Sequence, residues 1–129
     1  MIIRGEHNGE CILVNQTDHS QLVGQLASHW GNSQFEAPSP YESVVRAAIF
    51  HDYGWLPYET APSADLKTGK PYGFMQVGLQ KSQLDAYRWV IDWMHNVDPY
   101  AALIMCMHRY RSVEGSLWSD RVSDRLQFE

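Results

Sequence analysis

Three histidines and one aspartate stand at positions where their side chains can meet between helices. His19 lies near the start of the first predicted helix, His51 and Asp52 end the second, and His108 extends the apolar face of the fourth. Imidazole nitrogen and carboxylate oxygen are the usual ligands of a catalytic divalent metal ion. Burying so many polar groups costs free energy unless they are paired or coordinated. The pattern therefore favours a metal site built from these four residues.

Each of these residues also has a structural interpretation. A histidine on an apolar stripe, such as His19, is more commonly a hydrogen-bonded core residue than a ligand. Asp52 alone is compatible with a cap or a turn carboxylate. Neighbours on a helix diverge by roughly 100°, so His51 and Asp52 can share a metal only at a helix end, which Gly54 provides. Surface or capping roles are expected for the remaining histidines, which are His7, His29 and His95.

The elements that must position these residues begin with a short hairpin. Two β-prone runs flank Asn8-Gly9 and predict an antiparallel pair over residues 1–15. A first helix is predicted from Thr17 or Asp18 to a stop at Gly31. Its apolar stripe, expected to face the core, comprises His19, Leu22, Val23, Leu26, Ala27 and Trp30.

A long irregular segment separates the second helix from the later ones. The second helix is predicted from a cap at Ser39 to His51-Asp52. The prolines and glycines of Leu56–Gln80 predict a loop, unusually long for a compact domain and therefore a candidate lid. A third helix is expected over 82–95, and a fourth begins at Asp98-Pro99. The chain thus divides into a hairpin (1–15), a helical core (17–112) and a tail or short helix (113–129), within one domain over 1–129.

Composition restricts the class of protein. The 129 residues suffice for one domain, and an apolar share of 44% allows a sizeable core. A formal charge of −5 disfavours direct nucleic-acid binding. Cys11 and Cys106 are far apart, which excludes a zinc ribbon, and Cys106 is expected as a buried thiol. Met1–Arg4 lacks the apolar core of a signal peptide, and no apolar run approaches the ~20 residues of a membrane span. A cytoplasmic protein without membrane contact is expected.

The order of the candidate ligands is similar to that in the HD superfamily of metal-dependent phosphohydrolases. More closely, the chain resembles an uncharacterised HD-like bacterial family over almost all of its length to about Tyr110. The HDxGW element at His51–Trp55 is a fairly specific part of this resemblance, whereas a bare His-Asp pair is weak. The other matching stretches are Gln16–Leu22, Leu26-Ala27, Trp30-Gly31, Pro62, Asp65, Thr68-Gly69, Pro71–Phe74 and Asp98–Leu103 with His108.

The resemblance implies an all-α, HD-like helical bundle with a small N-terminal β-hairpin. It also implies a set of metal ligands: His19, His51, Asp52 and, as a further ligand or a phosphate contact, His108. HD enzymes normally complete the site with a distal aspartate, for which this chain offers only Asp120 and Asp124. Related proteins are usually longer, which would make this chain a shortened member.

The implied activity is metal-assisted hydrolysis of a nucleotide or small phosphate ester. A divalent ion (Mn, Fe, Zn or Mg) would lower the pKa of a bound water, and Asp52 would act as the catalytic residue that orients the nucleophile. Arg109, or else Arg46, would offset the charge developing on the phosphate. The aromatic residues expected to wall the substrate pocket are Tyr53, Trp55, Tyr72 and Phe74.

Two other functions stay open at this point. The chain could be a catalytically degenerate HD-like module that binds a ligand or dimerises, since a shortened bundle leaves a helical face for a second copy. It could also be an HD-like metalloenzyme of another class, because related scaffolds perform oxidations with iron. A shared scaffold does not decide between these functions.

Overall fold

The computed structural model describes residues 1–8, 10–77 and 81–114 and shows a mostly helical chain with one small sheet, as predicted. The strands are Ile2–His7 (β1) and Glu10–Val14 (β2). The helices are Gln16–Ser28 (α1), Tyr41–Phe50 (α2), Leu56–Thr60 (α3), Phe74–Val77 (α4), Lys81–Val97 (α5) and Pro99–Glu114 (α6), with a 3-10 turn at Tyr53–Trp55. Within these described residues, no helix combines the length and apolarity that crossing a membrane requires.

The predicted hairpin is confirmed as an antiparallel pair of strands. Its register pairs Ile2 with Val14, and a bulge at Gly5 interrupts the ladder. Gly5 has a φ of +54°, a conformation that glycine adopts without steric cost. Because a lone hairpin is only marginally stable, its attachment matters: the Met1 carbonyl accepts a hydrogen bond from the backbone N–H of Phe74 at 2.8 Å. The sheet is therefore joined to the segment that follows α3.

The face of α1 that packs on the core is not the predicted apolar stripe. The buried residues of α1 are small or polar: Gln16, Ser20 and Gly24. A β-carbon on Gly24 would lie 2.3 Å from Cγ1 of Ile49, so α2 approaches the backbone of α1 too closely for a larger residue. The expectation for the large residues of the stripe is therefore wrong, and their exposed fractions are 55% for Leu22, 61% for Leu26 and 59% for Trp30.

The start of α1 is stabilised by a carboxylate from another helix. The sequence predicts Thr17 or Asp18 as the cap, but α1 begins at Gln16, and its N-cap Asn15 makes no side-chain capping bond. Instead the Glu59 carboxylate of α3 accepts hydrogen bonds from the backbone N–H of Gln16 and, at 3.0 Å, from the Thr17 hydroxyl. Helix termini leave free N–H groups that need such partners. This contact fixes the first turn of α1, which carries His19.

The junction between α5 and α6 agrees with the sequence prediction. The Asp98 carboxylate accepts hydrogen bonds from the backbone N–H groups of Tyr100 at 3.1 Å and Ala101 at 3.0 Å, so it caps α6. Its other oxygen pairs with Arg46 of α2, which connects three helices at one point. The apolar cluster beneath this junction consists of Ala47, Val90, Met94, Ala101, Ala102 and Met105.

The segment predicted as one long loop contains structure of its own. The expectation for Leu56–Gln80 is wrong at α3 and α4, which occupy parts of it. Between these helices the Asp65 carboxylate accepts hydrogen bonds from the backbone N–H groups of Lys67 at 2.7 Å and Thr68 at 3.0 Å. Such a side-chain turn lets prolines and glycines form an ordered connection. The segment therefore contains an ordered turn that its own hydrogen bonds hold.

Two further expectations concern the end of the chain. Cys106 is exposed rather than buried, because the buried side of α6 follows Ala101, Met105 and Arg109, and the next residue points about 100° away. The predicted tail or short helix lies almost entirely outside the described residues, which end at Glu114 within α6.

Candidate metal centre and its cavity

Donor atoms of His19, His51 and Asp52 converge at one place between α1 and the end of α2. One ligand atom from each residue can be chosen so that all three lie within 4.8 Å of one another. Two of the side chains are half-buried, and Asp52 is buried. Bonds of about 2.0–2.2 Å to nitrogen and oxygen place two ligands of one ion at most about 4.4 Å apart, which is close to the spread of these donor atoms. The structure therefore brings together three of the four predicted ligands.

The ring orientation of His51 leaves one nitrogen available to a metal. Its Nδ1–H donates a hydrogen bond to the Ala48 carbonyl at 2.7 Å, and its Nε2 lies 3.4 Å from Oδ2 of Asp52. Metal-binding histidines commonly donate their second N–H to a backbone carbonyl in this way, which selects the tautomer. Because α2 ends at Phe50, the backbone turns between His51 and Asp52 and directs both side chains to the same place.

Asp52 is held by two hydrogen bonds from elements distant in sequence. The Tyr87 hydroxyl of α5 donates to Oδ1 at 3.1 Å, and Nε2 of Gln16 in α1 donates to Oδ2 at 3.3 Å. Burial would raise the pKa of Asp52, but His51 and the Tyr87 hydroxyl outweigh it and lower the pKa. Burial, with the nearby Asp52 charge, raises the pKa of Tyr87 well above its ordinary value. Asp52 is therefore a carboxylate and Tyr87 a protonated donor at neutral pH.

Close packing explains why the HDxGW element has a glycine at position 54. A β-carbon on Gly54 would lie 2.3 Å from the Tyr87 ring. The ring reaches Asp52 only because that space is empty, and the ring itself is 1% exposed. The following residue, Trp55, is buried and packs edge-on against Tyr58 and Phe74. The element thus provides two of the converging donor residues, His51 and Asp52, and the close packing that supports Asp52.

Substituting Gly54 with alanine is expected to lower the free energy of unfolding by ~1–3 kcal/mol, because the buried Tyr87 ring has no space to withdraw. Chemical denaturation of the metal-free protein measures this change. Gly73→Ala is the matched control, since its β-carbon would meet nothing closer than 3.5 Å, and a change within about 0.5 kcal/mol is expected. Equal stabilities for the two variants would contradict the packing argument.

His108 lies beside the three converging donors without joining them. Its ring centroid is 4.9 Å from that of His51, and the two rings meet edge to face. Among the described residues, the group of mutually close donor atoms contains His19, His51 and Asp52 only. Burial and the neighbouring charges of His51 and Arg109 lower the pKa of His108, although Asp52 opposes them. His108 therefore lines the same cavity as the donor group without belonging to it.

A cavity of about 470 Å³ opens onto the three donors. Its lining combines polar or cationic residues, among them Arg109, Arg111 and Ser112, with apolar ones. The Arg109 guanidinium lies 4.3 Å from the centre of the Tyr87 ring, in cation–π geometry. Burial lowers the pKa of Arg109, but arginine starts so high that it stays charged. The apolar lining residues are Ile2, Trp55, Phe74 and Met75.

Of the predicted substrate-contacting residues, Arg109, Trp55 and Phe74 line the cavity, whereas others lie elsewhere. Tyr53 lies outside the lining: its ring packs on Phe50 at 4.8 Å, and its hydroxyl accepts a hydrogen bond from Gln21 at 2.8 Å.

Tyr72 and Arg46 are likewise not among the residues that line the cavity. The Tyr72 carbonyl accepts a hydrogen bond from Tyr58 at 2.8 Å. Arg46 pairs with the helix-capping Asp98, so its charge serves the α2–α6 contact rather than a phosphate. The candidate distal ligands, Asp120 and Asp124, lie outside the described residues.

Sequence reasoning missed several residues of the site. Gln16 precedes His19 by three residues, and Ser112 follows His108 by four. Helical spacing alone therefore places each of them on the same helix face as a candidate ligand. No spacing relative to a candidate ligand identified Tyr87, because in the sequence it is one of several apolar positions on the buried face of α5. Its role depends on how α5 packs against the segment after α2.

The residues present fit a bound divalent cation. The donors are two imidazoles and one carboxylate, a set that accepts several transition metals. In addition, Oε1 of Gln16 is buried and has no hydrogen-bond partner among the described residues, although the side chain lines the cavity. Buried polar atoms normally have partners, and a donor belonging to a bound water or ligand would satisfy this one.

The chain belongs to the family described as "Protein of unknown function (DUF3891)", which matches residues 1–128. No protein with a curated description and no solved structure matches the chain. The family assigns no activity, so the chemistry of the site must be argued from its own geometry.

Proposed function

We propose that this member of the family is a metal-dependent phosphohydrolase with an HD-like scaffold, acting on a nucleotide or small phosphate ester. The observation that carries the proposal is the convergence of His19, His51 and Asp52 on a cavity that Arg109 also lines. Metal donors next to a buried guanidinium suit a substrate whose reacting group is an anion.

The three donors would hold the ion and leave positions for water and substrate. Catalytic metal sites typically use three protein ligands plus an open position. A divalent ion bound there would lower the pKa of a bound water and polarise the phosphoryl oxygen. Asp52, ionised and fixed by two hydrogen bonds, would orient the attacking water. His108 at the cavity wall would contact the phosphate.

The shape of the cavity indicates the kind of ester. Arg109 and Arg111 bring positive charge to the cavity that the metal donors also line, although the chain as a whole carries a formal charge of −5. The apolar lining residues, which include Trp55 and Phe74, suit an organic group that is planar or apolar. A volume of about 470 Å³ accommodates a small molecule but not a polymer segment of many residues. We therefore infer a small phosphate ester as the substrate.

The test begins with elemental analysis of the 129-residue chain purified without chelator or affinity metal. We expect a divalent metal ion at near-stoichiometric amount. If the purified protein contains none, we expect it to bind Mn²⁺, Fe²⁺, Zn²⁺ or Mg²⁺ on incubation. Phosphate release from a panel of nucleotides and aryl phosphates should then depend on that metal and cease with chelator. Failure to bind any of the four metals would overturn the proposal.

Metal affinity is expected to fall as the pH drops through the pKa of His51. Burial lowers that pKa, but Asp52 and the Ala48 carbonyl outweigh burial and raise it above its ordinary value. Protons therefore compete with the metal already above pH ~6.5, and below the pKa each pH unit weakens binding roughly tenfold. The lowered pKa of Asp52 keeps that residue ionised in this range. Mn²⁺ titrations between pH 5.5 and 8 measure the slope, and a flat profile would contradict it.

One observation favours a second candidate function. Two histidines and one carboxylate with open positions also characterise non-haem Fe(II) oxygenases, and His19, His51 and Asp52 form such a set. An iron-dependent oxidation would show as oxygen consumption by the Fe²⁺-loaded protein in the presence of an organic substrate. Phosphate release supported by Mg²⁺ or Zn²⁺, which have no comparable redox chemistry, would favour hydrolysis instead.

A further inference from the structure

Asp52 stands out among the candidate ligands because two side chains hold its two oxygens separately. Tyr87 donates to Oδ1 at 3.1 Å and Gln16 to Oδ2 at 3.3 Å, from α5 and α1 respectively. Both donors are at least 95% buried. We infer that Tyr87 and Gln16 are positioning residues that fix the Asp52 carboxylate for the metal, an inference that rests on the proposed function.

The geometry gives each donor a distinct task. A free carboxylate rotates about its Cβ–Cγ bond, and a hydrogen bond to each oxygen stops this rotation. Oδ2 lies 3.4 Å from Nε2 of His51, so the fixed orientation directs this oxygen to the place where the donors converge. Each carboxylate oxygen has two lone pairs, so one hydrogen bond leaves capacity for a metal bond.

Tyr87 is itself held rigidly. Its ring packs against the backbone at Gly54, and the Arg109 guanidinium covers one ring face at 4.3 Å. The residue is not part of the cavity lining, so it acts through Asp52 and Arg109 rather than on a substrate. Removing only the hydroxyl would therefore keep the ring that supports Arg109 and delete the bond to Asp52.

The decisive variant is Tyr87→Phe, with Tyr58→Phe as its matched control. Tyr58 is also buried, and its hydroxyl donates to the Tyr72 carbonyl at 2.8 Å rather than to Asp52. Mn²⁺ dissociation constants come from electron paramagnetic resonance titrations of the full chain, and unfolding of the metal-free proteins is measured in parallel. Removing a hydrogen-bonding partner of a metal ligand typically weakens binding by about 10–100-fold. We expect Tyr87→Phe to fall in that range and Tyr58→Phe to stay within about twofold of the unaltered protein.

A second pair of variants keeps the inference testable if Tyr87→Phe does not fold. Gln16→Met removes the other donor, and Gln25→Met places the same substitution at an exposed position of α1. A loss of Mn²⁺ affinity of about tenfold only in Gln16→Met supports the inference. Affinities that match between each variant and its control overturn the positioning role while the metal site stands. An unaltered protein that binds no metal overturns both the positioning role and the proposed function.

Discussion

Replacing His51 with alanine is expected to abolish metal retention and to lower metal-dependent phosphate release by at least ~100-fold. Metal catalysis supplies several kcal/mol of transition-state stabilisation, and each 1.36 kcal/mol corresponds to a factor of ten in rate. His51 is the donor whose tautomer is set by the Ala48 carbonyl and whose free nitrogen faces Asp52 at 3.4 Å. Alanine removes that nitrogen and leaves two donors of the converging set.

The control for this substitution is His29→Ala. His29 is exposed at the end of α1, where its ring contacts the Gln25 carbonyl rather than the cavity. Elemental analysis and phosphate release should be unchanged in this variant. His51→Ala protein that folds and still retains one equivalent of metal would show that the ion is bound elsewhere. Loss of activity in both variants would point to general damage.

Replacing Arg109 with methionine is expected to lower kcat/KM for phosphate esters by roughly 10²–10³-fold, while the metal stays bound. Removing one group that stabilises developing charge in a buried site typically costs this much. Arg109 is 3% exposed, lines the cavity and retains its charge. Methionine has a similar length and keeps apolar contact with the Tyr87 ring, so the substitution removes mainly the charge.

Two comparisons separate this electrostatic role from packing. Arg88→Met alters an exposed arginine of α5 whose guanidinium lies 3.9 Å from Asp85, and kcat/KM should not change. Arg109→Lys keeps a positive charge without the planar fork that binds two phosphate oxygens, so an intermediate rate is expected. Inhibition by inorganic phosphate should weaken in Arg109→Met. An unchanged kcat/KM in that variant would exclude Arg109 as a substrate contact.

Local patterns were sufficient for much of the fold. The hairpin follows from the Asn8-Gly9 sequence between two β-prone runs, and the strands pair as that pattern predicts, from His7 with Glu10 to Ile2 with Val14. The cap at Asp98 follows from a carboxylate next to Pro99, since its partners are N–H groups two and three residues on. The adjacency of His51 and Asp52 to a glycine likewise indicates a helix end. Each of these three features depends on interactions between residues only a few positions apart in the sequence.

The sequence also indicated which residues carry the candidate chemistry. His19 and the His51-Asp52 pair were predicted from residue type and spacing, and the structure places their donor atoms together. His108 lines the same cavity but does not belong to the donor group. The helical pattern predicts which way its side chain points, but not how far the side chain lies from the other donors. The two arginines predicted as phosphate contacts differ in their positions. Arg109 lines the cavity, whereas Arg46 pairs with Asp98.

Only the tertiary structure decided how these residues are supported. The buried face of α1 is small and polar because α2 packs within reach of the Gly24 backbone, which hydrophobic periodicity cannot show. Glu59 caps α1 across 43 positions of sequence, and Tyr87 reaches Asp52 across 35. Such contacts depend on the packing of separate helices, whereas residue type and spacing describe one helix at a time. The sequence by itself therefore determined the candidate ligands, and the packing decided their orientation.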